Sequence, residues 1–196
     1  MESSERPRSR VTARPLALVL FLVGSALLAL WPARASGAAE APKVGDTAPD
    51  FTLPYATADT LIFKGESLRG AVKNGPVLLA FYPADWSPGC TREVCTLRDS
   101  FDQLGQLHVT VWGISGDNPF SHRAWAQFHK LPFRLLSDTR HDVAQSYGSF
   151  DPDRGYNKRT VFVVGSDGRI KYENLGYSVA DTTDFHRLRE AMAGVK

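Results

Sequence analysis

Between residues 77 and 104 the hydrophobic pattern of the chain changes period. Val77, Leu78, Leu79, Ala80, Phe81 and Tyr82 form a nearly continuous apolar run between Gly75-Pro76 and Pro83, which predicts a strand buried on both faces. Downstream, Cys90, Val94, Leu97, Phe101 and Leu104 recur at steps of four, three, four and three. That spacing predicts a helix with one apolar stripe packed back on the sheet. Cys90 opens the stripe, in the first turn.

The same alternation continues along the chain. Leu107 to Ser115, with Val109, Val111 and Ile114, reads as a second core strand, and Gly116-Asp-Asn-Pro119 as a turn and helix start. Ser121 to His129 is expected to be a helix with Ala124, Trp125 and Phe128 on one face. Phe133 to Leu136 reads as a short strand, followed by a helix from about Arg140 to Tyr147 that Gly148 ends. Thr160 to Val164 and Arg169 to Glu173 flank Gly165-Ser-Asp-Gly168, a hairpin signal. Asp181 to Ala193 is expected to close the chain as a helix with Phe185, Leu188 and Met192 inward. Ahead of the core, Glu40 to Pro49 reads as a surface lead-in, Asp50 to Pro54 as an edge strand stopped by Pro54, and Thr60 to Phe63 as the second strand of an N-terminal hairpin. Strands alternating with helices predict an α/β fold with parallel strands.

Residues 1–35 follow another pattern. Leu16 to Leu30 is an uninterrupted run of Leu, Ala, Val, Phe, Gly and Ser, preceded by Arg6, Arg8, Arg10 and Arg14 and followed by Ala33-Arg-Ala35. This is signal-peptide anatomy, with cleavage expected after Ala35 and Ala38 as the alternative site. The competing reading is an uncleaved anchor, because Pro15 to Ala33 gives 19 residues without a charge. Gly24, Ser25 and the flanking prolines weigh against a stable membrane helix, and no pair of adjacent arginines supports a twin-arginine route. The expected organisation is a signal peptide at 1–35, a linker at 36–42 and one domain at 43–196.

Removing the extension changes the charge picture. It carries five Arg and two acidic residues out of the 23 basic and 21 acidic in the chain, leaving 18 against 19. A near-neutral domain gives no reason to expect nucleic acid or an anionic membrane surface as partner. Composition, 43% hydrophobic and 22% charged, is that of a globular domain.

Both cysteines lie in Phe81-Tyr-Pro-Ala-Asp-Trp-Ser-Pro-Gly-Cys-Thr-Arg-Glu-Val-Cys95. A thiol in the first turn of a helix sits beside unpaired N–H groups and the positive end of the dipole, which favour thiolate and therefore a nucleophile. Arg92 would add charge if it folded back. Position alone leaves a second reading open, that of a small buried hydrophobe. Cys95 bears on the choice. Five helical residues turn about 500° and place the two Cα atoms roughly 8 to 9 Å apart, beyond the reach of about 7 Å for a disulfide. A bond between them requires the first turn to unwind, so it would be a switched bond and not a staple, although an exported chain with two cysteines ordinarily suggests a structural disulfide. Pro88-Gly89 at the helix start fits a segment able to unwind.

Pro83-x-x-x-Ser87-x-x-Cys90 resembles the peroxidatic motif of the peroxiredoxins, and Thr91-x-Glu93-x-Cys95 resembles the subgroup called peroxiredoxin Q or bacterioferritin comigratory protein. Lys43-Val-Gly-Asp-Thr-Ala-Pro-Asp-Phe-Thr-Leu-Pro54, Ser67-Leu-Arg-Gly70, Gly113-Ile-Ser-Gly-Asp117 and Leu131-Pro-Phe-Arg-Leu-Leu-Ser-Asp138 are similar to other segments of the family, so the likeness runs from Lys43 to the end. It implies a thioredoxin-like α/β fold, with a central mixed sheet flanked by helices and an N-terminal hairpin extension. It implies a peroxidase for hydrogen peroxide and alkyl hydroperoxides, recycled by a thioredoxin-like or other dithiol donor, needing no cofactor and most often monomeric, with a dimer as the alternative. Cys90 takes the role of peroxidatic cysteine, Cys95 of resolving cysteine in a redox-active disulfide, Ser87 of the hydroxyl that hydrogen-bonds Cys90, and Pro83 of the pocket shield. The family more often has threonine at the place of Ser87; both supply a hydroxyl.

By the same resemblance Arg159, in Lys158-Arg-Thr-Val-Phe-Val-Val164, contacts the peroxidatic cysteine and the peroxide, where a permanently charged, forked donor suits both. Without it, Arg159 is a solvated charge at a strand end. Glu93 matches a position that orients an arginine, and reads equally as an acid complementing the helix dipole. Trp86 is expected at the rim of the site. His108, His122, His129, His141 and His186 show no metal-ligand spacing and read as surface residues, and Asp138-Thr-Arg-His141 holds no demonstrable Ser-His-Asp triad.

Two other classes remain in view at this level. A thiol–disulfide oxidoreductase would favour Cys-x-x-Cys, and a thioredoxin-fold copper carrier would use soft cysteine ligands at a spacing shorter than this one.

Overall fold

A computed structural model describes residues 40–195, apart from the side chains of 103–105. The expected signal peptide and residues 36–39 of the expected linker therefore lie outside the described residues, as does the side chain of Leu104. No helix among the described residues is long and apolar enough to cross a membrane.

The elements in chain order are β1 (Thr52–Ala56), β2 (Leu61–Ser67), α1 (Leu68–Ala71), a 3-10 turn (Val72–Asn74), β3 (Val77–Phe81), α2 (Pro88–Asp99), α3 (Phe101–Gln106), β4 (Thr110–Ser115), α4 (Pro119–His129), β5 (Arg134–Ser137), α5 (Asp142–Ser146), β6 (Phe150–Asp151), β7 (Tyr156–Asn157), β8 (Thr160–Val164), β9 (Ile170–Asn174) and α6 (Thr182–Ala193). Seven strands form one sheet in the order β2-β1-β5-β4-β3-β8-β9. β3, β4 and β5 run parallel to their neighbours among themselves, joined by crossovers through α2–α3 and through α4. The other pairings are antiparallel, so the sheet is mixed.

β3 is central and its two faces feed two cores. Leu78, Ala80 and Tyr82 pack with Cys90, Val94, Leu97, Trp125, Leu188 and Met192 on the side of α2, α4 and α6. Val77, Leu79 and Phe81 pack with Trp112, Ile114, Tyr147 and Phe162 on the side of α1 and α5. Burial on both faces is why this strand reads as an unbroken apolar run. The closing helix also turns Leu188 and Met192 inward as expected.

Several expectations are corrected. The strand expected at an edge and stopped at Pro54 runs on to Ala56 and lies inside the sheet, between β2 and β5. Pro54 is tolerated because the β1–β2 register slips between Leu53 and Tyr55, at a bulge where no ladder N–H is required. The stripe expected to run through one helix from Cys90 is broken at Ser100, whose backbone (φ −98°, ψ 1°) caps α2 before α3 begins. Phe101 nevertheless stays against the core, 6.2 Å from the Phe133 ring. On α4 the inward face is His122, Trp125 and Ala126, at helical steps of three and one; Ala124 and Phe128 are exposed. His122, expected at the surface, is fully buried.

The short β6–β7 hairpin had no recognisable signal, yet it sets the start of β8. Lys158 N–H donates to the Ser149 carbonyl (2.6 Å) and the buried Asn157 side chain donates to the Ile114 carbonyl (3.2 Å). These bonds fix the chain leading into Arg159.

Candidate active site

The site forms where β3 ends and α2 begins. After Phe81 the Tyr82 N–H still donates to the Ile114 carbonyl (3.1 Å), and the chain then leaves the sheet through Pro83 and Ala84. Trp86 adopts a left-handed backbone (φ 63°), unusual for a bulky side chain, and turns the chain into the helix. Ser87 is the N-cap: its Oγ accepts from the Cys90 N–H (3.4 Å) and its carbonyl from the Thr91 N–H (2.9 Å). Pro88 fills the first helical position, where no N–H is needed.

The loop is held from below by a buried polar cluster. Tyr82 Oη donates to Asp85 Oδ1 (2.8 Å), Ser121 Oγ donates to Asp85 Oδ2 (2.8 Å), and His122 Nδ1 lies 3.0 Å from Asp85 Oδ2. His122 Nε2 faces the Leu136 carbonyl at 3.2 Å, and the Asp85 N–H donates to Asp117 Oδ2 (2.8 Å). Burial, with the Asp85 carboxylate beside it, holds the Tyr82 hydroxyl well above its ordinary range. Two elements thus pin the loop ahead of Ser87. Asp85 and His122 were missed as structural residues, although the His122, Trp125, Ala126 spacing on α4 is the signal that could have found His122.

Cys90 is fully buried in the first turn of α2. Arg159 reaches it from the start of β8, with Nη2 donating to Cys90 Sγ at 3.4 Å and Nη1 donating to Glu93 Oε2 in an ion pair. One guanidinium fork therefore spans the thiol and the carboxylate. Gly89 makes room: a Cβ there would lie 3.1 Å from Nη2. Glu93 is 2% exposed and its Oε1 has no partner. Burial pushes its carboxyl up to about 7 although Arg159 pulls the other way. Glu93 is therefore a buried partner of Arg159 and not a surface complement to the dipole.

Cys95 lies in the same helix on a different side, half-buried, with Sγ 3.8 Å from His129 Nδ1. Both cysteines are free thiols and the helix between them is continuous. Trp86 is a rim residue, 51% exposed, with its ring 5.7 Å from Phe128 and 6.3 Å from His129. Pro83 is half-buried at the strand exit. The structure thus gathers Cys90, Ser87, Glu93 and Arg159 into one cluster. The Ser87 hydroxyl meets Cys90 through its backbone N–H. Among the described residues no group of three or more His, Cys, Asp or Glu stands where it could hold a metal ion. The two thiols face separate partners, Arg159 and His129, where a copper carrier would turn both on one ion.

Comparison with known proteins agrees with this geometry. A profile of the AhpC/TSA family matches residues 44–173. A Coxiella burnetii protein assigned to the peroxiredoxins as bcp is 38% identical over 134 residues, 65% of this chain and 85% of its own length. The chloroplastic peroxiredoxin Q of Suaeda salsa is 46% identical over 105 residues, 52% of this chain and 49% of that protein, so the chain spans about half of that longer relative. Among solved structures, peroxidoxin BcpB of Mycobacterium tuberculosis superposes with a TM-score of 0.68 at 28% identity, covering 79% of this chain and 99% of that one. The AhpC of Enterococcus faecalis, at 24% identity and a TM-score of 0.67, shares the fold. A mixed sheet with crossover helices, a buried first-turn cysteine under an arginine, and these likenesses converge: the chain has the thioredoxin-like fold and belongs to the AhpC/TSA family, among the peroxiredoxins of the Q and bcp kind, which are peroxidases.

Proposed function

We propose that the protein reduces hydrogen peroxide and alkyl hydroperoxides through Cys90, and that Cys95 resolves the oxidised enzyme. The observation that carries this reading is the Arg159 guanidinium on Cys90 Sγ in the first turn of α2. An anionic sulfur there faces a fixed cation, and negative charge that develops on the peroxide oxygens meets preorganised donors. The Cys90 thiolate attacks one peroxide oxygen and the O–O bond breaks. The sulfur becomes a sulfenic acid, and the departing hydroxide or alkoxide takes a proton. Cys95 then attacks the sulfenic sulfur, an S–S bond forms, the S–O bond breaks and water leaves. An external dithiol of the thioredoxin type reduces the disulfide.

The continuous helix supports a disulfide that forms only on unwinding. Cys90 is buried and Cys95 faces α4, so closing the bond draws the first turns of α2 out of register. Pro88 has no N–H to lose, and Gly89 gives the start of the helix the backbone freedom to unwind.

Stopped-flow tryptophan fluorescence of the reduced protein mixed with hydrogen peroxide tests the reading, with Trp86 in the loop ahead of Cys90 as reporter. A fast phase whose rate is proportional to peroxide and far above that of free cysteine is expected; a change at the rate of an ordinary thiol overturns it. We also propose export with removal of residues 1–35 and a monomeric mature protein. N-terminal sequencing and sedimentation of the secreted form check both.

A further inference from the structure

We propose that His129 is the catalytic base of the resolving step, taking the Cys95 proton as Cys95 attacks the oxidised Cys90. The proposal rests on the reading of Cys95 as the resolving cysteine and adds the residue that activates it.

Three observations carry it. His129 Nδ1 is 3.8 Å from Cys95 Sγ, across the contact between α4 and α2. The imidazole stands in an aromatic box made by Phe128 (4.9 Å), Trp125 (5.8 Å) and Trp86 (6.3 Å). Arg98, from α2, donates from Nη1 to the His129 carbonyl (2.8 Å) and fixes the end of α4 against the helix that bears Cys95. Among the described residues, Arg98 is the charged group that acts on His129; the rings packed around it carry no charge. Partial burial, and then the Arg98 charge, lower the His129 pKa from 6.5. At neutral pH the ring is therefore uncharged, with Nδ1 free to accept once the ring proton is on Nε2. Trp86 and Phe128 are 51% and 72% exposed, and nothing in the Cys90 cluster uses Phe128.

The step balances without a further reagent. His129 Nδ1 takes the proton from the Cys95 thiol, and the thiolate attacks Cys90 Sγ of the sulfenic acid. The S–S bond forms as the S–O bond breaks, and the departing hydroxide recovers the proton from the imidazolium as water. The pairing also explains a division of labour: a thiol held against a neutral base is not a competing nucleophile for peroxide, but ionises when the helix opens and the sulfur meets its electrophile.

Rapid-quench mass spectrometry after one equivalent of hydrogen peroxide separates the sulfenic acid, one oxygen heavier, from the disulfide, two hydrogens lighter than the thiol form. His129→Gln and His129→Phe are the variants, the second keeping an aromatic ring in the box. In both, conversion of sulfenic acid to disulfide is expected to slow by roughly 100-fold at neutral pH. In the wild type that conversion rises with pH and levels off below neutrality as His129 deprotonates; in the variants it keeps rising through neutral pH. A wild-type rate with no such plateau overturns the proposal without any variant, and so does a disulfide that forms as fast in His129→Phe as in the wild type. If peptide mapping of the oxidised wild type finds no Cys90–Cys95 bond, the resolving role itself fails, a result distinct from failure of His129 alone.

Discussion

Cys90 and Cys95 stand five residues apart on one helix, and the two ends of that short segment are built differently. Around Cys90 everything is closed: full burial, an N-cap hydroxyl, a guanidinium fork and a buried carboxylate. Around Cys95 the surroundings are half-open and aromatic, and the group facing the sulfur is an imidazole in place of an arginine. The helix gives the two thiols their spacing. The elements packed on it, β8 on one side and α4 on the other, give them their chemistry. On the proposed mechanism, the comparison teaches that a nucleophile which must work at once needs a fixed charge, whereas one that waits for a conformational change is better kept protonated beside a base.

The sharpest way to break this contrast is to remove each thiol. Cys90→Ser is expected to abolish peroxide consumption, while Cys95→Ser retains one stoichiometric oxidation and loses turnover with a dithiol donor. Thiol titration alongside the stopped-flow trace separates the two, and equal behaviour would erase the distinction. Next in size, Arg159→Ala is expected to slow oxidation of Cys90 by roughly 100- to 1,000-fold. It also leaves the Glu93 carboxyl buried without its partner, where burial holds it protonated, and lowers the melting temperature. In the double variant with Glu93→Gln the melting temperature recovers and the rate does not, which distinguishes charge at the sulfur from support of the fold.

A smaller effect concerns Glu93 alone. Its folded carboxyl holds a proton up to about pH 7, against 4.5 for the free group. The folded state thus binds more protons than the unfolded state between those values, and stability falls as pH rises through that window. The loss from this group is on the order of 3 kcal/mol in all, and Glu93 adds no slope outside the window. Urea denaturation at pH 5 and pH 8 should show this slope in the wild type and its absence in Glu93→Gln. Smallest is Ser87→Ala, expected to cost about 1 kcal/mol through the lost cap, read as a lower melting temperature.

Much of this arrangement was legible in the chain. The apolar run of β3, the change of period into α2, the N-cap serine and the position of Cys90 all come from near neighbours, and local pattern registers them. The Gly165-Ser-Asp-Gly168 turn was legible for the same reason. Arg159 was legible only through resemblance, since a charge at a strand end has no local signature. His122 was misread because a histidine offers no sign of its partner, and Phe128 because an aromatic one residue off the inward face of α4 is indistinguishable from core until the helix is docked. Pro54 signalled an edge strand, but a bulge in the interior removes the need for its N–H equally well.

By itself, the sequence determined the order of strands and helices, the burial of the central strand and the placing of one cysteine in a helical first turn, because each depends on groups within a few residues of one another. Only the tertiary structure decided which polar groups meet. Asp85 and His122 are 37 residues apart, Cys95 and His129 34, and Glu93 and Arg159 66. A hydrophobic side chain is stabilised by any apolar neighbour, so its pattern alone announces burial. A buried charge or hydrogen-bonding group requires one particular partner at one geometry, and that partner is fixed only when the sheet and its helices come together.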